Sequence, residues 1–248
     1  EIDGFLNIDK AKAVDTLELS TMMISDLTGI EAFTELKYLS CGQNLIKKID
    51  LSKNTKLRVL SCGNSIDWMY EYGDDFEDYK FNPDLGNQLT ELDLSNNVEL
   101  EVIDVDFNKL RSLDLQNNKK LINLFVSSNK LSKLNIDGNK KLEILNAEYN
   151  ELKKLNLQNN LNIKTILLAN NQLSAIDIKK NKQLEYLNLN HNKLEEIDVT
   201  NNALLEDLSC SNNQLQEIDV QYNFALYGLY CDFNRLTSFT LNNTSVSN

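Results

Sequence analysis

Proline is nearly missing from this 248-residue chain, with Pro83 the single interruption. Histidine is as scarce: any Ser-His-Asp or Cys-His centre would have to use His191, and no cysteine is expected beside it. Gly-rich phosphate loops, CxxC pairs and the HExxH pattern are absent too, so enzyme chemistry has little support and no cofactor is expected. No run approaches the roughly 18 apolar residues that a membrane span requires. Bases are outnumbered, 25 against 37 acids, and a net charge of −12 argues against nucleic acid and anionic membrane surfaces as partners. The opening Glu1-Ile2-Asp3-Gly4 lacks a charged n-region followed by an apolar stretch, so no secretory leader is expected in the segment as it begins.

Cysteine is sparse as well. Cys41, Cys62, Cys210 and Cys231 each sit where other parts of the chain carry Leu, Val, Ile or Ala. They are expected to be small inward-facing hydrophobes. On adjacent in-register strands two such side chains point the same way, which is read as a poor starting geometry for a bridge.

What the chain has in abundance is asparagine, and it is periodic. From Asn97 to Asn234 an asparagine recurs at alternating intervals of eleven and ten residues, a 21-residue repeat with two asparagine turns per copy. Fixed self-similarity at such a period marks a solenoid that grows by stacking, so one elongated domain is expected. In one copy, Leu187 and Leu189 alternate with Asn188, and Ile197 and Val199 flank Asp198. Both are the period-2 pattern of a short half-buried strand. At each turn an Asn side chain can donate to and accept from backbone groups that the bend leaves unpaired, so stacked coils build an asparagine ladder on each edge. With strands ~4.8 Å apart, ten or eleven coils make a rod or shallow arc on the order of 50 Å long.

The halves Leu205-Glu206-Asp207-Leu208-Ser209-Cys210-Ser211-Asn212-Asn213-Gln214-Leu215 and Gln216-Glu217-Ile218-Asp219-Val220-Gln221-Tyr222-Asn223 resemble the bacterial leucine-rich repeat, and within it the 21-residue subclass with the nested LxxLxLxxNxLxxLDLxxNxx consensus. The match runs from Leu36 to about Leu241. The earlier 22-residue unit from Val14 resembles an internalin-type repeat with a short helical convex side. The resemblance implies an α/β repeat solenoid, mostly β: a right-handed coil with short parallel strands on both sides, little helix, and LxLxxN strands lining the concave face. It also implies a role in recognition and an extracellular or bacterial surface location.

Three stretches depart from the repeat. Residues 1–13 are expected to form an N-terminal cap, helical through Ile8 to Ala13, with the solenoid running over 14–248. Asp3-Gly4-Phe5-Leu6-Asn7 faintly resembles part of a calcium loop, but Lys10 stands where a bidentate Glu is needed, so it is read as structural. Residues 67–88 lose the motif and are expected to be a degenerate repeat or a projecting loop. They hold Trp68, Tyr70 and Tyr72 beside the acids Asp74, Asp75, Glu77 and Asp78, which suits a docking surface or, equally, a coil that lost its leucines and packs on its aromatics with the acids solvated; a calcium site is the weaker reading, for want of EF-hand spacing. The closing Thr244-Ser245-Val246-Ser247-Asn248 has no evident polar cap, and further chain or a partner is expected over the last coil.

Residues flanking the inward leucines of the first strand point outward. Candidate ligand-binding positions are therefore Asp104, Asp106, Phe125, Ile144, Asn146, Glu148, Leu167, Tyr186 and Asn188, together with Trp68, Tyr70 and Tyr72. For Phe107, Tyr149 and Phe233, just before a turn Asn, packing within the turn is as good a reading as reaching solvent. His191 in the same position is read as a tolerated surface residue. The opposite strands carry Asp50, Asp93, Asp114, Asn135, Asn156, Asp177, Asp198 and Asp219 at one equivalent place. These must be hydrated, bonded to nearby turns, or balanced by lysines such as Lys48, Lys133 and Lys154. Recurrence at every coil speaks for structure and against a catalytic dyad. The expectation is a non-enzymatic module binding a protein or glycan. The alternatives are a structural spacer of a larger surface protein and a metal-dependent hydrolase.

Overall fold

The computed structural model describes residues 8–63 and 86–241. Ten three-residue strands stack in parallel into one sheet: β1 (Thr16–Glu18), β2 (Tyr38–Ser40), β3 (Val59–Ser61), β4 (Val102–Asp104), β5 (Asn123–Phe125), β6 (Ile144–Asn146), β7 (Thr165–Leu167), β8 (Tyr186–Asn188), β9 (Asp207–Ser209) and β11 (Gly228–Tyr230). The register does not slip: Leu124 pairs with Leu145, Leu145 with Ile166, Ile166 with Leu187 and Leu187 with Leu208. A one-residue shift would turn every such leucine from the core to solvent, and this fixes the pairing.

The core is a continuous column of these residues. Leu39, Leu60, Ile103, Leu124, Leu145, Ile166, Leu187 and Leu208 are buried, and Leu121, Leu142, Ile163, Leu184 and Leu205 lie buried at the start of successive coils. Burying a leucine contributes roughly 1.5–3 kcal/mol, so repetition along the stack supplies the stability that no single coil could hold alone.

Both asparagine ladders form, and they differ. On the edge after the long sheet, Asn150 Nδ2 donates to the carbonyls of Val126 (2.9 Å), Ala147 (3.2 Å) and Glu148 (3.0 Å), while its Oδ1 accepts from Leu131 N–H at 2.9 Å. On the other edge Asn160 Nδ2 donates to Ile136 and Asn139 carbonyls at 3.0 and 2.9 Å. Its Oδ1 is buried without a hydrogen-bond partner, and the same holds for Asn54, Asn97, Asn118, Asn139, Asn181, Asn202 and Asn223. Donation and acceptance together thus describe the first ladder; the second donates alone.

On the second side of the coil the apolar residues still point inward, but among the described residues a parallel ladder is made over two coils, β10 (Glu217–Asp219) with β12 (Ser238–Thr240). Elsewhere the aspartate row closes turns. Asp50, Asp93, Asp114, Asp177 and Asp198 each accept the backbone N–H two residues on through Oδ1, as Asn135 and Asn156 do. Bonding to nearby turns is therefore the arrangement adopted, with Lys179 adding an ion pair to Asp198 at 3.1 Å. Among the described residues helix is confined to one turn at Ile8–Ala11 and a 3-10 turn at Ile30–Ala32. The latter follows Gly29, whose φ of 104° is open to glycine at least cost.

The structure corrects the expectation for the first cysteine pair. Cys41 and Cys62 are joined by a disulfide with Cα atoms 4.9 Å apart. Stacking at the parallel-strand spacing puts equivalent residues inside the Cα window of a bridge, so sharing a direction is no barrier. Cys210 and Cys231, at the same place near the other end, are free thiols. Burial pushes the Cys210 thiol up to about 12, which keeps it a protonated packing group.

Candidate functional site: the outward face of the long sheet

Between each pair of inward residues the first and third positions of a strand face out, and in-register pairing turns them into two columns. The third-position column runs Asp104, Phe125, Asn146, Leu167, Asn188, Ser209 and Tyr230. Ile144 and Tyr186 stand in the other column, flanking Thr165. Phe125, Ile144, Asn146, Glu148, Leu167 and Asn188 are half-buried, and Tyr186 is 37% exposed. Nine of the twelve candidate positions are thus gathered on one surface and its edge. Trp68, Tyr70 and Tyr72 lie outside the described residues, as do the acids near them.

Asp104 and Asp106 depart from the expectation of an offered surface, being 1% and 6% exposed. Asp104 Oδ1 accepts from Asp106 N–H at 3.0 Å and its Oδ2 from the Ser61 hydroxyl at 3.1 Å. Asp106 in turn accepts the N–H of Ser127. The Asp104 carboxylate lies over Gly63, where a β-carbon would meet it at 2.2 Å. These two carboxylates therefore shape the surface by tying coils together. A burial signal of this kind is invisible to alternation alone, because the cover comes from the next coil.

Toward the other end the polar groups connect across coils. Asn188 Nδ2 donates to Glu148 Oε1 at 2.8 Å, bridging over the intervening coil where Ala169 is small and buried. Tyr186 donates its hydroxyl to Glu206 Oε2 at 2.8 Å. Hydrogen bonding with Tyr227 and then with Glu206 raises the Tyr186 phenol above the ordinary tyrosine range, so it stays neutral and a donor. Tyr227 and Glu206 are contributors that alternation missed, since they lie in the loop just before their strands. Burial raises the Asp207 carboxyl, which packs over Gly228.

At the turn that follows the sheet, Tyr149 is 58% and Phe233 81% exposed, and His191 is exposed as well; Phe107 is half-buried. For Tyr149 and Phe233 packing within the turn is overturned. Their φ angles of 51° and 54° lie in the left-handed region. Among the described residues no group of three or more His, Cys, Asp or Glu could hold a metal ion, and no helix is long and apolar enough to cross a membrane.

No protein-family model matches the chain, and no curated protein does. Solved structures do. The functional domain of InlJ from Listeria monocytogenes, which includes a cysteine ladder, is 26% identical with a TM-score of 0.70, over 97% of this chain and 56% of that one. The internalin InlF of the same species is 18% identical with a TM-score of 0.60, covering 98% of this chain and 85% of its own. YopM from Yersinia enterocolitica is 21% identical with a TM-score of 0.65, covering 87% and 46%. The chain spans about half the length of the InlJ domain, 56%. With coils in constant register, leucines inward, asparagine turns and almost no helix, the chain folds as a leucine-rich-repeat solenoid of the kind seen in the bacterial internalins.

Proposed function

We propose that this chain is a non-enzymatic recognition module that binds a protein or glycan through the outward face of the long sheet, with the segment at 67–88 as a second contact. One observation carries the reading. At the middle position of each strand the inward side chain is held to Leu or Ile, whereas the third-position column changes from Asp104 through Phe125, Asn146 and Leu167 to Asn188 and Tyr230. Asp104 and Asn188 serve contacts between coils, whereas half-exposed apolar groups such as Phe125 and Leu167 suit a complementary surface. Likeness to internalins supports an extracellular or bacterial surface setting and an adhesive role. On the 21-residue asparagine period the coils are placed in the 21-residue nested subclass, and residues 1–13 are proposed as a cap.

Extracellular-protein and glycan arrays probed with the wild type and with Phe125→Ala, Tyr186→Ala and Trp68→Ala variants test the reading. A ligand whose binding falls about tenfold or more in the first two is expected, in line with truncation of a central interface residue. Unchanged binding in all three would remove these sites.

A further inference from the structure

The turn that leaves the long sheet carries a pattern with twice the period of the fold. Its residue before the turn asparagine is Phe107, Ser128, Tyr149, Asn170, His191, Asn212 and Phe233 on successive coils. Rings and small polar groups alternate. The residue before it alternates in step, with Asp106, Glu148, Asn190 and Asp232 on ring coils and Ser127, Ala169 and Ser211 between them. The coil repeats every 21 residues, but this edge repeats every 42.

Backbone bonds hold the edge in register. Tyr149 N–H donates to the Ala169 carbonyl, Asn170 to Asn190, His191 to Ser211 and Asn212 to Asp232, all at 2.8–3.0 Å. All seven residues share a left-handed φ of 50–57°, so their side chains leave the coil in the same direction. Rings on alternate coils stand ~9.6 Å apart.

Neither folding nor self-stacking explains the rings of Tyr149, His191 and Phe233. A left-handed φ suits asparagine, which the intervening coils use at 170 and 212, and a bulky ring there is disfavoured. Tyr149, His191 and Phe233 are exposed, so they gain little from burial. A stabilising aromatic ladder would use every coil, because rings two coils apart lie beyond the usual aromatic contact distance. Strained, exposed and evenly spaced groups point to a ligand.

We infer that this edge binds an extended, neutral, β-linked polysaccharide, with the rings of Tyr149, His191 and Phe233 each taking the face of every second sugar and Phe107 continuing the row. In such a chain alternate sugars present the same face, and the disaccharide advance is close to the two-coil spacing. Asn170 and Asn212, between the rings, can reach hydroxyls of the intervening sugars, and Glu148 and Asp232 beside the rings can accept from them. The net charge of −12 selects against an acidic polymer. The row from Tyr149 to Phe233 spans ~19 Å, about five sugars. This edge is distinct from the sheet face, so Phe125→Ala and Tyr186→Ala are expected to leave its binding intact.

Titration calorimetry of the full chain with cellohexaose and chitohexaose, against α-linked maltohexaose, tests the inference. A β-linked hexasaccharide is expected to bind and maltohexaose not to. Tyr149→Asn and Phe233→Asn should each weaken binding about tenfold while leaving the melting temperature unchanged or higher, since asparagine is the residue this turn prefers. Tyr149→Phe should keep most of the affinity. Absence of binding to both β-linked hexasaccharides, equal binding to maltohexaose, or full affinity in the asparagine variants would each overturn it, whatever happens at the sheet face.

Discussion

A single asparagine does different work on the two edges of the coil. Asn150 makes four hydrogen bonds, so Asn150→Ala strands the Leu131 N–H in the interior and takes one of two donors from each of three carbonyls, which keep Asn129, Asn171 and the Ser128 N–H. Asn160→Ala strands no group, because the Ile136 and Asn139 carbonyls still accept the Asn139 and Leu142 N–H groups, and it removes an Oδ1 that has no partner. An unsatisfied buried polar group costs roughly 1–3 kcal/mol, with the variants partly relaxing. Asn150→Ala is therefore expected to cost about 3 kcal/mol and Asn160→Ala about 1. Equilibrium urea unfolding reads the difference, and equal losses would refute the asymmetry. Glycine is as specific in one place. A β-carbon on residue 42 would meet the carbonyl oxygen of Gly63 at 2.3 Å, and backbone cannot swing aside as a side chain can. Gly42→Ala should cost about 1–3 kcal/mol in the same assay, the usual range for overpacking.

At the level of one turn, the aspartate row couples the fold to acid. Backbone hydrogen bonding holds Asp50 and Asp93 below the ordinary carboxylate value, and the Thr200 hydroxyl followed by its N–H does so for Asp198, with Lys179 adding to it. A folded pKa lower than the unfolded one means stability that is complete above about pH 4 and is lost as pH falls through the folded values. Asp207 is raised by burial and acts in the opposite sense, its contribution fading as pH rises. The depressed row outnumbers it, so the chain should lose stability below pH 4. Asp93→Asn and Asp198→Asn should flatten that limb without changing the turn, because Asn135 and Asn156 already make the same bond on their own coils. An acid limb as steep in the double variant as in the wild type would contradict this. The same row shows how far sequence carries. Its recurrence speaks for a structural role over a catalytic pair, and the turn bond is one of three arrangements the pattern allows; selecting it takes coordinates. Leucine spacing and asparagine period announce the coil because each is set by contacts repeated at every copy. The burial of Asp104, the bridge from Asn188 to Glu148 and the Tyr186–Glu206 pair depend on which residue the next coil brings, and a single repeat contains no trace of that.

Across the whole molecule, stability is a sum over coils and the contacts between neighbours, and perturbations stay near where they are made. The two sides of residues 64–85 illustrate it. Val59 pairs directly with Val102, so β3 and β4 are neighbours in the sheet, and Asn87 takes the turn position by donating to the carbonyls of Cys41 and Cys62. The Cys41–Cys62 disulfide lies just before that point and joins two adjacent coils across a sequence separation of 21. A loop of that size is worth about 3 kcal/mol through the unfolded chain. In a solenoid the benefit should be local to the coils of β1 to β4. Hydrogen exchange on oxidised and reduced wild type, which avoids the cavity an alanine would leave, should show faster exchange on reduction at Leu39, Leu60 and their neighbours, with the coils of β6 to β9 unchanged. Both sulfurs are buried, so reduction should need opening of these coils and run slowly without denaturant. Equal acceleration along the whole stack would mean that the coils unfold as one unit; no change anywhere would mean that stacking alone already holds this end.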